Sequence, residues 1–511
     1  MGCNGGLMGS IVIGKHTLES LTTGMYADPF VVYREYIQNA ADSIDGAIEC
    51  GVLKREDNYI DVRIAPFENK IIIEDNGVGI IADEAEKTLI SIGNSKKASD
   101  NSRGFRGIGR LAGLGYCAKL IFETSAYGEN EGARVTIDAQ KLAERLSLDE
   151  KDDISAKEVL EQIYSFEKYK EKEKKHYFKV TMEGVDQDSH LCVRSSVYDY
   201  LSQNVPVPYD NEKFAWGQEV KNRLKADGYI IPEYNINLTC SGETTPVVKP
   251  LTDYFSLDKS GNTIDKIRNI RSVQFINEEG VVSAYGWIAD TSYLGSIYDK
   301  RIKGLRIRKG NILIGDEQTL NVAFKDARFN GWSIGEIFVI DPKLIPNARR
   351  DNFEKTPAYF IFMEQIRNMA AGITKEIRKA SIKRNQELAQ TIKTTQSISK
   401  EASAIVDSEG IDPLRTVSLK KRLIETKNAL EKVSSNDEMD LYNKEIAFDE
   451  LDMLMGKIQG ITAYKALNVS HGINNNEKRT LEKVFDVIVS THPDEAEEMI
   501  DAILKVFSSD H

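Results

Sequence analysis

A chain of 511 residues with 79 acidic against 67 basic side chains and a formal net charge of −12 has room for about three domains. That balance does not favour a nucleic-acid or anionic-membrane surface. Its five cysteines (Cys3, Cys50, Cys117, Cys192, Cys240) follow no C-x-x-C or metal-ligand spacing and its six histidines are too dispersed for zinc, so reduced thiols and a cytoplasmic location are expected. No apolar run approaches ~20 residues, which predicts no transmembrane helix and no membrane partner. Met1-Gly-Cys lacks the apolar stretch of a signal peptide, and Gly6 stands where myristoylation needs Ser or Thr.

The first informative segment is Tyr33-Arg-Glu-Tyr-Ile-Gln-Asn-Ala-Ala-Asp42. It follows Asp28-Pro29, and Pro suits the first turn of a helix. Apolar residues at helical spacing carry that helix to Ile48. Glu35 and Asn39 share a face, and Asp42 lies further along the same stripe. A carboxylate, an amide and a second carboxylate in line can hold a hard cation such as Mg²⁺ and polarise a water. The stripe equally fits the solvated face of an amphipathic helix.

Next, Lys70-Ile-Ile-Ile-Glu74 reads as a buried strand that runs into Asp75-Asn-Gly-Val-Gly79. Glycines there let a flat ring approach the backbone, and the strand-end carboxylate can accept from an exocyclic amine. An ordinary Asn-Gly turn has the same local pattern. The third segment, Arg103-Gly-Phe-Arg-Gly-Ile-Gly-Arg110, precedes apolar residues at helical spacing. A glycine loop feeding a helix N-terminus points N–H groups at an anion. The chain has no G-x-x-x-x-G-K-[ST] loop. Taken in order, the three segments describe an adenine-nucleotide site of another kind.

They resemble the nucleotide-binding boxes of the GHKL ATPases (gyrase B, Hsp90, histidine kinases, MutL), most closely the Hsp90-like and MORC-like branches. The resemblance implies ATP with Mg²⁺. Glu35 would be the general base that orients the attacking water, Asn39 the Mg²⁺ ligand, with Asp42 beside it. Asp75 would read the adenine amine over a floor of Gly77 and Gly79. Gly104, Gly107, Ile108 and Gly109 would wrap the phosphates and hinge a lid. Ser91-Ile-Gly-Asn-Ser-Lys-Lys97 is similar to the Hsp90-type segment leading into that lid, which places Asn94 and Lys96 (or Lys97) near phosphate. One departure is visible: in Tyr177-Phe-Lys-Val-Thr-Met-Glu-Gly184, Phe178 occupies the position of the family's late-strand Thr, with Thr181 as the stand-in.

The implied fold is a Bergerat-type α/β sandwich over residues 9–225, then a transducer-like α/β domain over 226–356. A long helical or coiled-coil region over 357–464 and a small helical cap over 465–511 follow. Within the first part, Leu146–Lys175 is charged and looks helical. Strands are expected in the second part at Tyr234–Thr239, Val273–Ile276, Ala284–Ala289, Gly304–Ile314 and Ile334–Asp341. Ile345-Pro-Asn-Ala-Arg-Arg-Asp-Asn-Phe353 is similar to the Hsp90 segment with an arginine before an acid. That alignment places the catalytic arginine at Arg350, with Arg349 as fallback; a guanidinium there meets the charge that grows on a transferring phosphoryl group. The stripe Lys300–Lys309 puts Arg306 and Arg308 on one strand face, read as the wet side of a sheet. The architecture implies a slow ATPase working as a homodimeric, Hsp90-like clamp on a protein client. The alternative is a MutL- or MORC-like nucleic-acid clamp, which the acidic balance disfavours.

Overall fold

The computed structural model describes residues 28–90, 109–147, 162–406, 413–433, 438–460, 475–492 and 495–508. The chain divides into two compact units, residues 1–292 with 296–372, and residues 293–295 with 373–511. The expected α/β class followed by a helical region holds.

The first unit is built on an eight-stranded sheet of order β5-β4-β3-β6-β2-β1-β7-β8. Its central hairpin is β1 (Ile60–Ala65) and β2 (Lys70–Asp75), closed by Asn69 in the left-handed region. Alternation sorts the two faces: Val62, Ile64, Ile71 and Ile73 are buried, while Arg63 on the other face pairs with Asp61 and Glu74. Helix α1 (Val31–Glu49) packs on the apolar face through Ile37, Ala41 and Ile44. Burying each isoleucine contributes roughly 1.5–3 kcal/mol, so packing rather than propensity holds α1 in place. Helices α2 (Ala82–Ile90), α3 (Ala139–Ser147) and α4 (Arg194–Asn204) contribute Leu89, Leu142 and Leu201 to the same core. Strands β3 (Lys119–Ser125), β4 (Glu131–Asp138) and β6 (Tyr177–Glu183) supply Phe122, Val135 and Val180.

Two expectations change here. Tyr164–Lys170, expected within a charged helical insertion, is strand β5. It pairs with β4 as an edge strand, so Tyr164 and Phe166 share one face at period two, with Tyr169 on the other, instead of following a helical period. The strand expected at Tyr234–Thr239 forms as β7 (Ile236–Cys240) but runs parallel to β1. With β8 (Glu243–Pro246) it completes the first sheet.

A second sheet of order β11-β12-β15-β13-β14 follows, after the small ribbon β9 (Tyr254–Ser256) and β10 (Ile264–Lys266). Its strands are β11 (Asn269–Ile276), β12 (Val282–Asp290), β13 (Gly304–Lys309), β14 (Ile312–Ile314) and β15 (Ile334–Val339). The run expected as one strand over Gly304–Ile314 is a hairpin. Gly310 and Asn311 both take positive φ, 59° and 63°, the requirement of a tight turn matched to strand twist. Helix α5 (Trp216–Ala226) packs on this sheet, and Val220 and Leu224 share its core with Phe214, Trp287 and Phe338.

Arg306 and Arg308 correct a further reading. Their strand face is not wet: both are buried. Arg308 pairs with Glu336, whose carboxylate also takes Lys249 Nζ at 2.9 Å and Tyr209 OH at 2.6 Å. Trp287 Nε1 donates to the Tyr209 hydroxyl at 3.1 Å. Burial acts to raise the Glu336 carboxyl, but Lys249 and Arg308 outweigh it and hold it well below the usual range. Glu336→Ala would leave two buried cations without their carboxylate. It is expected to cost about 3–5 kcal/mol of stability, read as a lowered urea midpoint; a loss under ~1 kcal/mol would mean that the cations rehydrate without cost.

In the second unit, helix α6 (Pro357–Val406), counted from Ile373, packs with α7 (Pro413–Lys432) and α8 (Glu438–Gly460). Leu388, Ile398, Leu423, Leu430, Leu451 and Leu454 form their common core. Helices α9 (Asn475–Thr491) and α10 (Ala496–Ser508) complete it. Among the described residues no helix is long and apolar enough to cross a membrane.

Candidate nucleotide site

Every residue of α1 from Val31 to Gln38 is buried, and Asn39 is the first to be partly exposed. Glu35 is therefore not on a solvated face; it is 7% exposed. Its Oε1 lies 3.2 Å from Arg350 Nε and 3.6 Å from an Arg34 guanidinium nitrogen. The same Arg34 group donates to the Arg349 carbonyl at 3.3 Å. Two cations thus flank one buried carboxylate. On its other side, a Cβ added to Gly109 would sit 2.3 Å from Glu35 Oε2, so a side chain at this position would have to push the carboxylate aside.

Arg350 is delivered by a loop of the second-sheet region. Its φ is 56°, a left-handed conformation that costs a non-glycine residue of order 1–3 kcal/mol. The loop holds it there: Arg350 N donates to Asn347 O at 3.0 Å, Gly315 N donates to Arg350 O at 2.9 Å, and Asn347 N donates to Asn352 O at 2.9 Å. Arg349 is exposed and meets α1 through its carbonyl. The structure brings the side chain of Arg350, not of Arg349, to Glu35.

At the end of β2, Asp75 is 2% exposed and its Oδ1 accepts from Gly77 N at 2.8 Å. The loop after it is pressed on two sides. A Cβ on Gly77 would come 2.1 Å from Ser43 Oγ, and one on Gly79 would come 1.9 Å from the Ser125 carbonyl. Gly79 also has φ 66°. Gly79→Ala would meet both a backbone clash and an unfavourable φ, and is expected to lower stability by more than the ~1 kcal/mol typical of point mutants. A thermal melt within ~1 °C of the parent would show instead that the loop gives way easily.

Residues 27–169 match the protein family described as histidine kinase-, DNA gyrase B- and HSP90-like ATPase. This region is a member of the GHKL superfamily. A curated relative, the chaperone protein HtpG of Alkaliphilus metalliredigens (strain QYMF), is 27% identical over 135 residues, which cover 23% of this chain and 21% of that protein. The match thus spans about a fifth of HtpG.

Several residues of the GHKL module were silent in the sequence. Thr124, fully buried on β3, accepts from Ile80 N at 2.8 Å and donates to Tyr177 O at 3.1 Å. It ties the glycine loop to two strands. His176 Nδ1 lies 2.8 Å from the Gly77 carbonyl, an acceptor only, so the ring carries its proton on Nδ1. Tyr36 OH donates to Arg110 O at 3.1 Å and accepts from Gly113 N at 3.0 Å. It fastens the short helix Gly109–Gly115 to α1.

The late-strand departure is also resolved. Phe178 lies directly opposite Asp75 across β2–β6, and opposite Thr124 across β6–β3. These three side chains share one sheet face. Thr181 pairs with Ile72 and Ile121, which puts it on the opposite face. Thr181 therefore cannot stand in for the missing hydroxyl, because the strand alternates at period two.

Asn39 and Asp42 lie partly exposed along α1 beyond Glu35. Asn94, Lys96, Lys97, Gly104, Gly107 and Ile108 fall outside the described residues. Among the described residues no group of three or more His, Cys, Asp or Glu is placed to hold a metal ion. One turn along α1 from Glu35, Asn39 offers a neutral amide oxygen, which suits a Mg²⁺ that keeps its waters and takes its other oxygens from phosphate.

Proposed function

We propose that this chain is a slow ATPase that works as an ATP-dependent conformational switch, acting as a dimeric clamp on a protein partner. The observation that carries this reading is the 3.2 Å contact between Glu35 and Arg350. It links a helix of the GHKL module to the loop leading out of the second sheet. Asp75 accepts the adenine amine, and the backbones of Gly77 and Gly79 lie under the ring. Glu35 orients and deprotonates the attacking water. Arg350 leaves its carboxylate partner to meet the γ-phosphate, where charge grows during transfer. Asn39, with Asp42 beside it, holds Mg²⁺, which supplies charge neutralisation at the phosphates. Gly109 ends the glycine segment that wraps them, with Asn94, Lys96, Gly104, Gly107 and Ile108 in the preceding stretch.

Before nucleotide binds, the base is occupied by two guanidinium groups. That accounts for slow turnover: Glu35 becomes effective only when a competing anion draws Arg350 away. ADP lacks that anion, so the two nucleotides differ in the contacts they offer, as a ligand must to shift an equilibrium. The nucleic-acid alternative loses its main support, because Arg306 and Arg308 are buried.

Light scattering and cross-linking with a non-hydrolysable ATP analogue test the clamp. The expected result is ATP-specific dimerisation that Arg350→Ala weakens while nucleotide still binds. A monomer in both nucleotide states, or Arg350→Ala with parental turnover and closure, would end this reading.

A further inference from the structure

A cavity of about 420 Å³ lies behind the loop that carries Arg350, between the β11–β12 turn, the segment after β15 and the first turns of α6. Its size falls within the range of small-molecule sites. The apolar floor is made by Leu344 and Phe362, both buried, with Ile276, Ile345 and Ile361 around them. The polar side carries Glu278, Glu279 and Asp341 against a single cation, Lys343. Lys343 is engaged by Glu279. Asp341, 5% exposed, has one oxygen accepting from Lys343 N at 2.8 Å and the other from Asn277 Nδ2 at 3.1 Å. Glu278 has no ion-pair partner within reach among the described residues. With Lys309 behind Asp341, three carboxylates face two ammonium groups, and an apolar floor beside that excess of negative charge favours a cation over an anion.

We propose that this cavity is a binding site for a small organic cation, an aromatic or branched aliphatic group bearing a protonated amine. The apolar group occupies the floor between Leu344, Ile361 and Phe362. The ammonium lies toward Glu278, with Asp341 as the buried charge behind it. The site also touches the stem of the Arg350 loop. Lys309 Nζ donates to the carbonyls of Asp341 and Leu344 at 3.0 and 2.7 Å, and Glu354 N donates to Ile345 O at 2.8 Å. A ligand seated here presses on the residues that set where Arg350 sits, and so alters its reach to phosphate. This coupling, unlike the binding itself, rests on the role proposed above for Arg350.

The test uses the full-length chain and three probes of similar shape: 2-phenylethylammonium, 3-phenylpropanol and 3-phenylpropanoate. Titration calorimetry without nucleotide is expected to show saturable binding of the ammonium. The neutral alcohol should bind about tenfold more weakly, the scale of one charge-assisted hydrogen bond, and the carboxylate not at all. Ile361→Trp, which fills the floor, should abolish binding. Glu278→Gln, on the exposed rim and safe for folding, should weaken the ammonium by roughly tenfold and leave the alcohol unchanged. No saturable binding, equal binding of all three probes, or ammonium binding indifferent to Glu278→Gln overturns the site. Steady-state turnover with the ammonium probe then tests the coupling. A bound probe that leaves the ATPase rate of the parent unchanged overturns the coupling and spares the site. A chain with no ATPase activity at all overturns the nucleotide reading, while the binding data stand.

Discussion

Glu35→Ala is expected to bind ATP and to lose turnover by about 10²–10⁴-fold, the cost of removing a general base. The carboxylate is buried, on a helix that Ile37, Ala41 and Ile44 pack against the sheet. Its position against Gly109 puts it where the glycine segment meets the helix. Neither feature belongs to an adenine-binding role, so ground-state affinity should change little. One complication follows from the geometry. Removing Glu35 also leaves Arg34 and Arg350 without the carboxylate that lies between them. Glu35→Gln, which keeps the shape and loses the charge, separates the two effects. Turnover lost in both variants with calorimetric affinity retained supports the base. Affinity and turnover lost together in both would make Glu35 structural.

Asp75→Asn is expected to weaken ATP binding by about 10²-fold or more, the equivalent of ~3 kcal/mol for a buried mismatched polar group. Asp75 uses Oδ1 to hold Gly77 N at 2.8 Å, and the second oxygen is the one proposed to take the adenine amine. An amide has one oxygen. Turned toward Gly77, it presents its NH₂ to another donor; turned the other way, it breaks the loop. Calorimetry with ATP decides between outcomes. If Asp75→Asn binds as tightly as the parent, the base lies elsewhere.

The parts of the molecule that were legible share a feature. The helical spacing from Tyr33 to Ile48 and the β-branched run Lys70–Glu74 are signals of short range, and α1 and β2 form where they point. The misread parts share the opposite feature. The aromatic residues of Tyr164–Lys170 sit inside a charged stretch whose composition suggests a helix, and only pairing with β4 selects the strand. Arg306 and Arg308 look like a wet face because what surrounds them is not local: Arg308 pairs with Glu336 on β15, a carboxylate that also takes Lys249 from the stretch between the two sheets. Thr124, His176 and Tyr36 carry no motif. Each acts through a bond to a residue between 44 and 99 positions distant.

By itself, the sequence determined the α/β class, the helical region after it, and which side chains stand at the end of β2 and on the buried turns of α1. These follow from periodicity and from glycine's tolerance of close approach, both properties of a few neighbouring residues. Only the tertiary structure decided that Arg350 rather than Arg349 reaches Glu35, that Phe178 and not Thr181 shares a face with Asp75, and that the basic strand is interior. Each depends on strand register or on a loop closing across sequence, where one residue of slip reverses the face a side chain takes.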